Sequence, residues 1–426
     1  QRLDVLGDLG LGLDHLLHLP HGVQDGGVVA VAEAAADLRQ GSRGQHLGQV
    51  HGDLPGADDD AGAPRRDEVL LRDPVVLGDD ALDVLDLRTA RFAGAQEVPE
   101  HGLGHLDGFL EALETLPERE TLANGDILVR EPIGPAGLIT PWNWPINQIA
   151  LKVLPALATG CPCILKPSEH TPLSAQIYAE ILHEAGVPAG AFALVQGTGP
   201  QVGDALARHP ALAMVSFTGS TRAGVSVAKS AADSVKRVTL ELGGKSPNLV
   251  FADCGDALED RVRASVAECF LNSGQSCDAP TRMIVERACY DRVVEIARDA
   301  AETTQVGDPK QEGAHIGPLF DRLQWDRVQA RIEAGISEGA RLVAGGPGRP
   351  AGLNNGWYAR PTVFADVTND MEVAREEIFG PVLSILPAAD EAEAIAIAND
   401  TPSGLASSLQ TGDPERASRV AARLRA

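Results

Sequence analysis

No apolar run in this 426-residue sequence reaches the roughly 20 residues that a membrane-spanning helix needs. The first residues show no basic stretch leading into an apolar core, so no secretory leader is read there and the cytoplasm is the default expectation. Histidine and cysteine nowhere cluster at zinc spacing, and the six cysteines (Cys161, Cys163, Cys254, Cys269, Cys277 and Cys289) do not form the framework of a small disulfide-stapled domain. No metal is expected. Cys161-Pro162-Cys163 resembles a redox or metal pair, but on a strand its two side chains point to opposite faces. Positive charge is also in short supply. The formal net charge is -24, which argues against a nucleic-acid backbone or an anionic membrane as the main partner. What is present, 44% hydrophobic residues with 45 glycines and 28 prolines, fits a globular α/β enzyme long enough for two or three domains.

A second shortage is local. Residues 1–114 contain no Lys, Ile, Asn, Met, Cys, Trp or Tyr, yet hold seven of the 11 histidines. Glycines interrupt the helical period, and no capped element emerges. The missing types are mostly those whose codons open with A or U, as expected when a GC-rich gene is read in a wrong frame or strand. The segment is therefore expected to be a translation artefact. Finding no better-patterned overlapping frame in the gene would sink that idea.

From Thr115 onward strands and helices alternate. A buried strand is expected at Ala136 to Ile139, a helix over Gln148 to Ala158, the strand CPCILKP, and a helix over Leu173 to Glu184. Further strands are expected at Phe192 to Val195 and Ala213 to Phe217, with a helix from Thr221. This alternation predicts a parallel sheet with crossover helices, whose ligands sit at the carboxyl ends of the strands. Lys166 and Glu169 fall at one such end, and Gly219-Ser220 at another, before a helix whose free N–H groups suit a phosphate. The G-x-G-x-x-G fingerprint is absent, so spacing alone points only weakly to a cofactor, and a solvated charge pair on a loop is the better reading of Lys166 or Glu169 taken alone. Glu241 closes an apolar strand before Gly243-Gly244, where apolar surroundings would raise a carboxylate's pKa and suit it to general-base work.

The stretch Asn272-Ser273-Gly274-Gln275-Ser276-Cys277 follows an amphipathic helical run and a glycine break. It presents a thiol at a helix end, where a helix terminus or a nearby cation would favour the thiolate. A buried structural cysteine is the alternative reading of a lone thiol.

Taken together, PWNWP, LKPSE, FTGST, LELGGKSP, GQSC and EEIFGPV, in this order, resemble the signature set of the NAD(P)-dependent aldehyde dehydrogenase superfamily, from about Thr115 to Ala426. The resemblance implies a Rossmann-like parallel-sheet cofactor domain over 115–240 and an α/β catalytic domain over 241–426. It also implies a chain incomplete at both ends. Cys277 would be the nucleophile, Glu241 the general base and Asn143 the side-chain oxyanion donor. Trp142, Lys166, Ser168, Glu169, Gly219, Ser220, Glu377 and Phe379 would hold the cofactor. NAD is expected rather than NADP, because a carboxylate such as Glu169 accepts hydrogen bonds from a ribose hydroxyl and repels a phosphate. The implied substrate is an aldehyde, oxidised to a carboxylic acid through a thiohemiacetal and a thioester. The family implies a homodimer or homotetramer, with part of the oligomer contact near Ile127 to Arg130. The competing reading is a remnant that binds NAD without turnover, and an acylating enzyme using coenzyme A is a third.

Overall fold

The structure, a computed structural model, describes residues 98–426. The expectation of an artefactual segment falls mostly outside these residues. Its last part is a helix, α1 (Val98–Thr115), and the sequence reading had placed no element there. Leu106 of α1 is buried in a small cluster with Ala150 and Leu154, and the His105 ring lies 2.6 Å from the Asn147 amide oxygen. Intervening glycines hid this helix from a periodicity argument.

Two short antiparallel strands follow, β1 (Arg119–Thr121) and β2 (Ile127–Val129). Then come β3 (Ala136–Ile139), α2 (Pro145–Ala158), β4 (Cys163–Lys166), α3 (Pro172–Glu184), β5 (Phe192–Leu194), α4 (Asp204–Arg208), β6 (Met214–Thr218), α5 (Thr221–Ala232) and β7 (Arg237–Glu241). The five strands β3 to β7 form one parallel sheet in the order β5-β4-β3-β6-β7. Proline opens both α2 and α3, where its missing N–H is not needed and its fixed φ suits the first turn. Ile149, Val153, Leu165, Tyr178 and Leu182 pack on one face of the sheet, and Leu206, Val215, Phe217 and Val227 on the other. A sheet covered on both faces needs near-continuous apolar strands, and AGLI and CILK supply them.

The second half contains β8 (Pro247–Val250), α6 (Leu258–Phe270), β9 (Arg282–Glu286), α7 (Tyr290–Thr303), β10 (Gln305–Val306), β11 (His315–Ile316), α8 (Arg322–Ser337), β12 (Arg341–Ala344), β13 (Thr362–Ala365), α9 (Glu372–Arg375), β14 (Val382–Ala388), α10 (Glu391–Asn399), β15 (Ser408–Gln410) and α11 (Pro414–Ala421). Six of its strands make a sheet in the order β12-β13-β14-β9-β8-β15, parallel except for β12. Two apolar layers again cover it, one around Phe251, Ile332 and Phe364, the other around Val266, Phe270 and Met283. Asp321, Asp390 and Asp413 each cap a helix by accepting a backbone N–H. Among the described residues no helix is long and apolar enough to cross a membrane, and no group of His, Cys, Asp and Glu could hold a metal ion.

Candidate active site

A cleft of about 520 Å³ opens at the carboxyl ends of the five-stranded sheet. Thr140 follows β3, Lys166 ends β4 and Ser168 and Glu169 follow it, Gly219 and Ser220 follow β6, and Leu242 and Gly243 follow β7; all line it. The opposite wall is Gln324, Arg327 and Arg331 of α8 with Glu377, Ile378 and Phe379, and at one end stand Trp142, Asn143 and Cys277. Ten of the eleven residues singled out in the sequence meet in this one cleft. The exception is Glu241. It closes β7 as expected, but it is exposed and is absent from the lining. Its strand leaves the sheet's apolar layer at that point, so the apolar surroundings expected for its carboxylate do not form.

Each wall is fixed locally. Lys166, whose side chain is 2% exposed, donates to Glu169 Oε2 at 3.1 Å. Burial alone would raise the Glu169 carboxyl, but its backbone hydrogen bond and Lys166 outweigh this and hold it below the usual carboxylate range. Ser220 caps α5, its Oγ accepting from the Ala223 N–H at 3.3 Å, and the Gly219 N–H donates to the Glu241 carbonyl at 3.0 Å. The hydroxyls of Thr140 and Thr218 are buried and have no hydrogen-bond partner among the described residues. Glu377 Oε1 accepts the Gly244 N–H at 3.2 Å. Burial raises this carboxyl, opposed by that N–H and by Lys245.

The turn that leads to Cys277 runs through three consecutive left-handed residues, Asn272 (φ 49°), Ser273 (φ 58°) and Gly274 (φ 72°). Side chains hold this strained path. Asn272 Nδ2 donates to the Asn143 carbonyl at 2.9 Å, and Asn143 Nδ2 donates to the Gln275 carbonyl at 3.1 Å. The buried Gln275 amide donates to the Asn272 carbonyl at 3.0 Å and accepts the Phe320 N–H at 2.9 Å. Cys277 is half-buried, while the other five cysteines are buried. Burial, then Asp278 and Glu377, push its thiol up to about 12, opposite to the direction in which a nearby cation would favour the thiolate.

Sequence reasoning missed several neighbours. Gln324, Arg327 and Arg331 share one face of α8 at helical spacing, which a search for polar residues three and four apart would have found. Gln324 donates to the carbonyls of Ile378 and Phe379 at 3.1 and 2.8 Å and so ties α8 to the loop beside it on the same wall. Phe320 stacks on Trp142 with ring centroids 4.4 Å apart, and Phe379 meets Trp142 edge-on at 5.4 Å. Lys152, buried on α2, donates to Ser216 Oγ at 2.7 Å. Burial lowers its amine to about 8, against an opposing pull from Glu241.

A two-sheet fold with a thiol and an amide at the end of such a cleft defines a class, and the chain belongs to the aldehyde dehydrogenase family, whose model matches residues 87–426. The match begins ahead of Thr115 and includes α1. A 3-succinoylsemialdehyde-pyridine dehydrogenase of a Pseudomonas species is 51% identical over 324 residues, covering 76% of this chain and 67% of that one. Among solved structures, an aldehyde dehydrogenase from Bartonella henselae superposes with a TM-score of 0.78 at 46% identity, covering 81% of this chain and 76% of that one. Aldehyde dehydrogenase C of Pseudomonas syringae, solved with NAD+ and octanal, gives 0.74 at 48% identity, covering 82% and 71%.

Proposed function

We propose that the chain oxidises an aldehyde to a carboxylic acid with NAD, through a thioester on Cys277. The observation that carries this reading is the position of Cys277 and Asn143 together at the end of a cleft of about 520 Å³. The cleft fits the cofactor. Thr140 and Thr218, whose buried hydroxyls have no hydrogen-bond partner among the described residues, line it, Gly219 and Ser220 present a helix N-terminus suited to a pyrophosphate, and Lys166 with Glu169 offers donor and acceptor to a ribose. Glu169 favours NAD over NADP by repelling a 2'-phosphate. When bound, NAD supplies the hydride acceptor.

In this reading Cys277 Sγ loses its proton and adds to the aldehyde carbon. Asn143 turns its amide from the Gln275 carbonyl to the new oxyanion, with the Cys277 N–H as second donor. Donors so placed contribute about 3 to 4 kcal/mol each. Trp142 and Phe379 flank the reacting end and exclude water. Glu241 then activates the water that hydrolyses the thioester, which requires its exposed side chain to swing toward Cys277. The apolar residues of β2, Ile127, Leu128 and Val129, are exposed and support assembly into a homo-oligomer through that hairpin.

The test follows NADH formation at 340 nm with a panel of aldehydes. Turnover lost in Cys277→Ala supports the reading, and a burst followed by slow hydrolysis in Glu241→Gln supports the base. NAD binding without turnover would mean that the cleft holds cofactor only. Equal burst and steady phases in Glu241→Gln and parent would remove Glu241 from the mechanism.

A further inference from the structure

The cofactor cleft ends at Asn143 and Cys277, and the residues beside them in the chain, Trp144, Ser276 and Asp278, are absent from its lining. A cofactor filling that cleft leaves the Trp144 and Asp278 side as the approach for the carbonyl. These three side chains form one hydrogen-bonded chain. Trp144 Nε1–H donates to Ser276 Oγ at 2.9 Å, and the Ser276 hydroxyl donates to Asp278 Oδ1 at 2.6 Å. The order is fixed by chemistry, since an indole nitrogen only donates and the serine's one proton goes to the carboxylate. The chain holds the Asp278 carboxylate next to the nucleophile and leaves Oδ2 as an acceptor on an exposed side chain. Its charge reaches both the Cys277 thiol and the Glu268 carboxyl, raising each after burial has done so.

We propose that Asp278, oriented by Trp144 and Ser276, is the specificity-determining residue that selects aldehydes carrying a positive charge near the carbonyl and disfavours those carrying a carboxylate. This rests on the aldehyde-oxidising reading above. A unit charge several ångströms away near a protein surface changes affinity by about tenfold, and a cation and an anion are shifted in opposite directions.

Two measurements test it. The first compares kcat/KM for three aldehydes of similar length, a trimethylammonium aldehyde, an unsubstituted alkanal and an ω-carboxylate semialdehyde, in the parent and in Asp278→Asn. The cation-to-anion ratio is expected to fall by about tenfold or more in the variant, with the neutral alkanal least affected. A ratio unchanged by the substitution overturns the proposal. The second reads the same field without turnover, through the rates at which a trimethylammonium and a sulfonate methanethiosulfonate modify Cys277. The Cys277 sulfur displaces methanesulfinate from either reagent, Cys277→Ala gives the blank, and the other five cysteines are buried. Because Asp278→Asn also eases deprotonation of the thiol, only the ratio of the two reagents counts. A cation preference that Asp278→Asn removes, in a protein that turns over no aldehyde, would leave charge selection standing and defeat the oxidising reading. Turnover with both ratios unmoved would defeat the selection alone.

Discussion

At the scale of single residues, Gln275 has the most constrained position in the site. Its side chain bridges the Asn272 carbonyl and the Phe320 N–H, and its own carbonyl holds Asn143. It is absent from the cleft lining, so it acts on catalysis through the turn it holds. Gln275→Ala would leave two backbone groups without these partners, at about 1 to 3 kcal/mol for each that stays buried. It would also loosen a turn in which a displacement of about 1 Å loses roughly a hundredfold in rate. We expect kcat to fall by about 10- to 100-fold with NAD affinity nearly unchanged. Gln275→Glu, which keeps the acceptor for Phe320 and loses the donor to Asn272, should fall between. Full kcat in the alanine variant would remove Gln275 from any positioning role. The motif GQSC made the thiol legible in the sequence, but the partner of its glutamine lies 45 residues away in the chain and no local pattern points to it.

At the scale of elements, the loop after β7 and the turn before Cys277 are packed against the segment Glu377 to Pro381 with no room for a methyl group. At Gly243 an added Cβ would meet the Glu377 carboxylate, the far end of a flexible side chain. At Gly274 it would enter the backbone at Gly380, at a residue already left-handed. These two obstacles predict different outcomes. Gly243→Ala should fold with a melting temperature near that of the parent while binding NAD several-fold more weakly, because Glu377 must leave its place on the Gly244 N–H. Gly274→Ala has nothing flexible to displace and should be strongly destabilised. A well-folded Gly274→Ala, or an unstable Gly243→Ala with unchanged affinity when folded, would contradict this account; thermal melts and cofactor titration separate the cases. At the centre of the five-stranded sheet, β3 and β4 were legible because AGLI and CILK are short, largely apolar runs that each follow a proline. The tertiary fit of Gly243 against Glu377 leaves no such local trace, nor does the exposure of Glu241, which depends on what its neighbours fail to cover. Helix α1 escaped notice for the opposite reason, since its glycines weaken a pattern that packing on α2 restores.

Over the whole molecule, buried titratable groups of opposite type set the response to alkali. Burial lowers Lys152 and Lys245 to about 8 from 10.5. Between these values the unfolded chain binds more protons than the folded one, so each lysine makes stability rise with pH. Burial pushes Cys163, Cys269 and Cys277 up to about 12 and Cys289 to about 11, from 9.0. Above 9.0 the unfolded thiols lose protons that the folded ones keep, so each thiol makes stability fall as pH rises. From about 8 to 9 the two lysines dominate, and from 9 to 10.5 they oppose the thiols; above about 10 the buried Tyr178 and Tyr290 phenols, raised from 10.0, join the thiols, while Arg282, lowered to about 10 from 12.5, acts against them. The growing negative charge of a chain already at -24 adds a smooth decline on top. The lysine contribution is isolated by difference. In Lys245→Met no amine remains to lose its proton, so the variant's advantage over the parent should be largest near neutral pH and shrink steadily as pH rises from 8 to 10.5. Thermal melts of both proteins under reducing conditions measure that gap. A gap constant across this range would mean that the folded chain keeps Lys245 charged, held by a partner group, although in this structure its buried Nζ has no hydrogen-bond partner among the described residues.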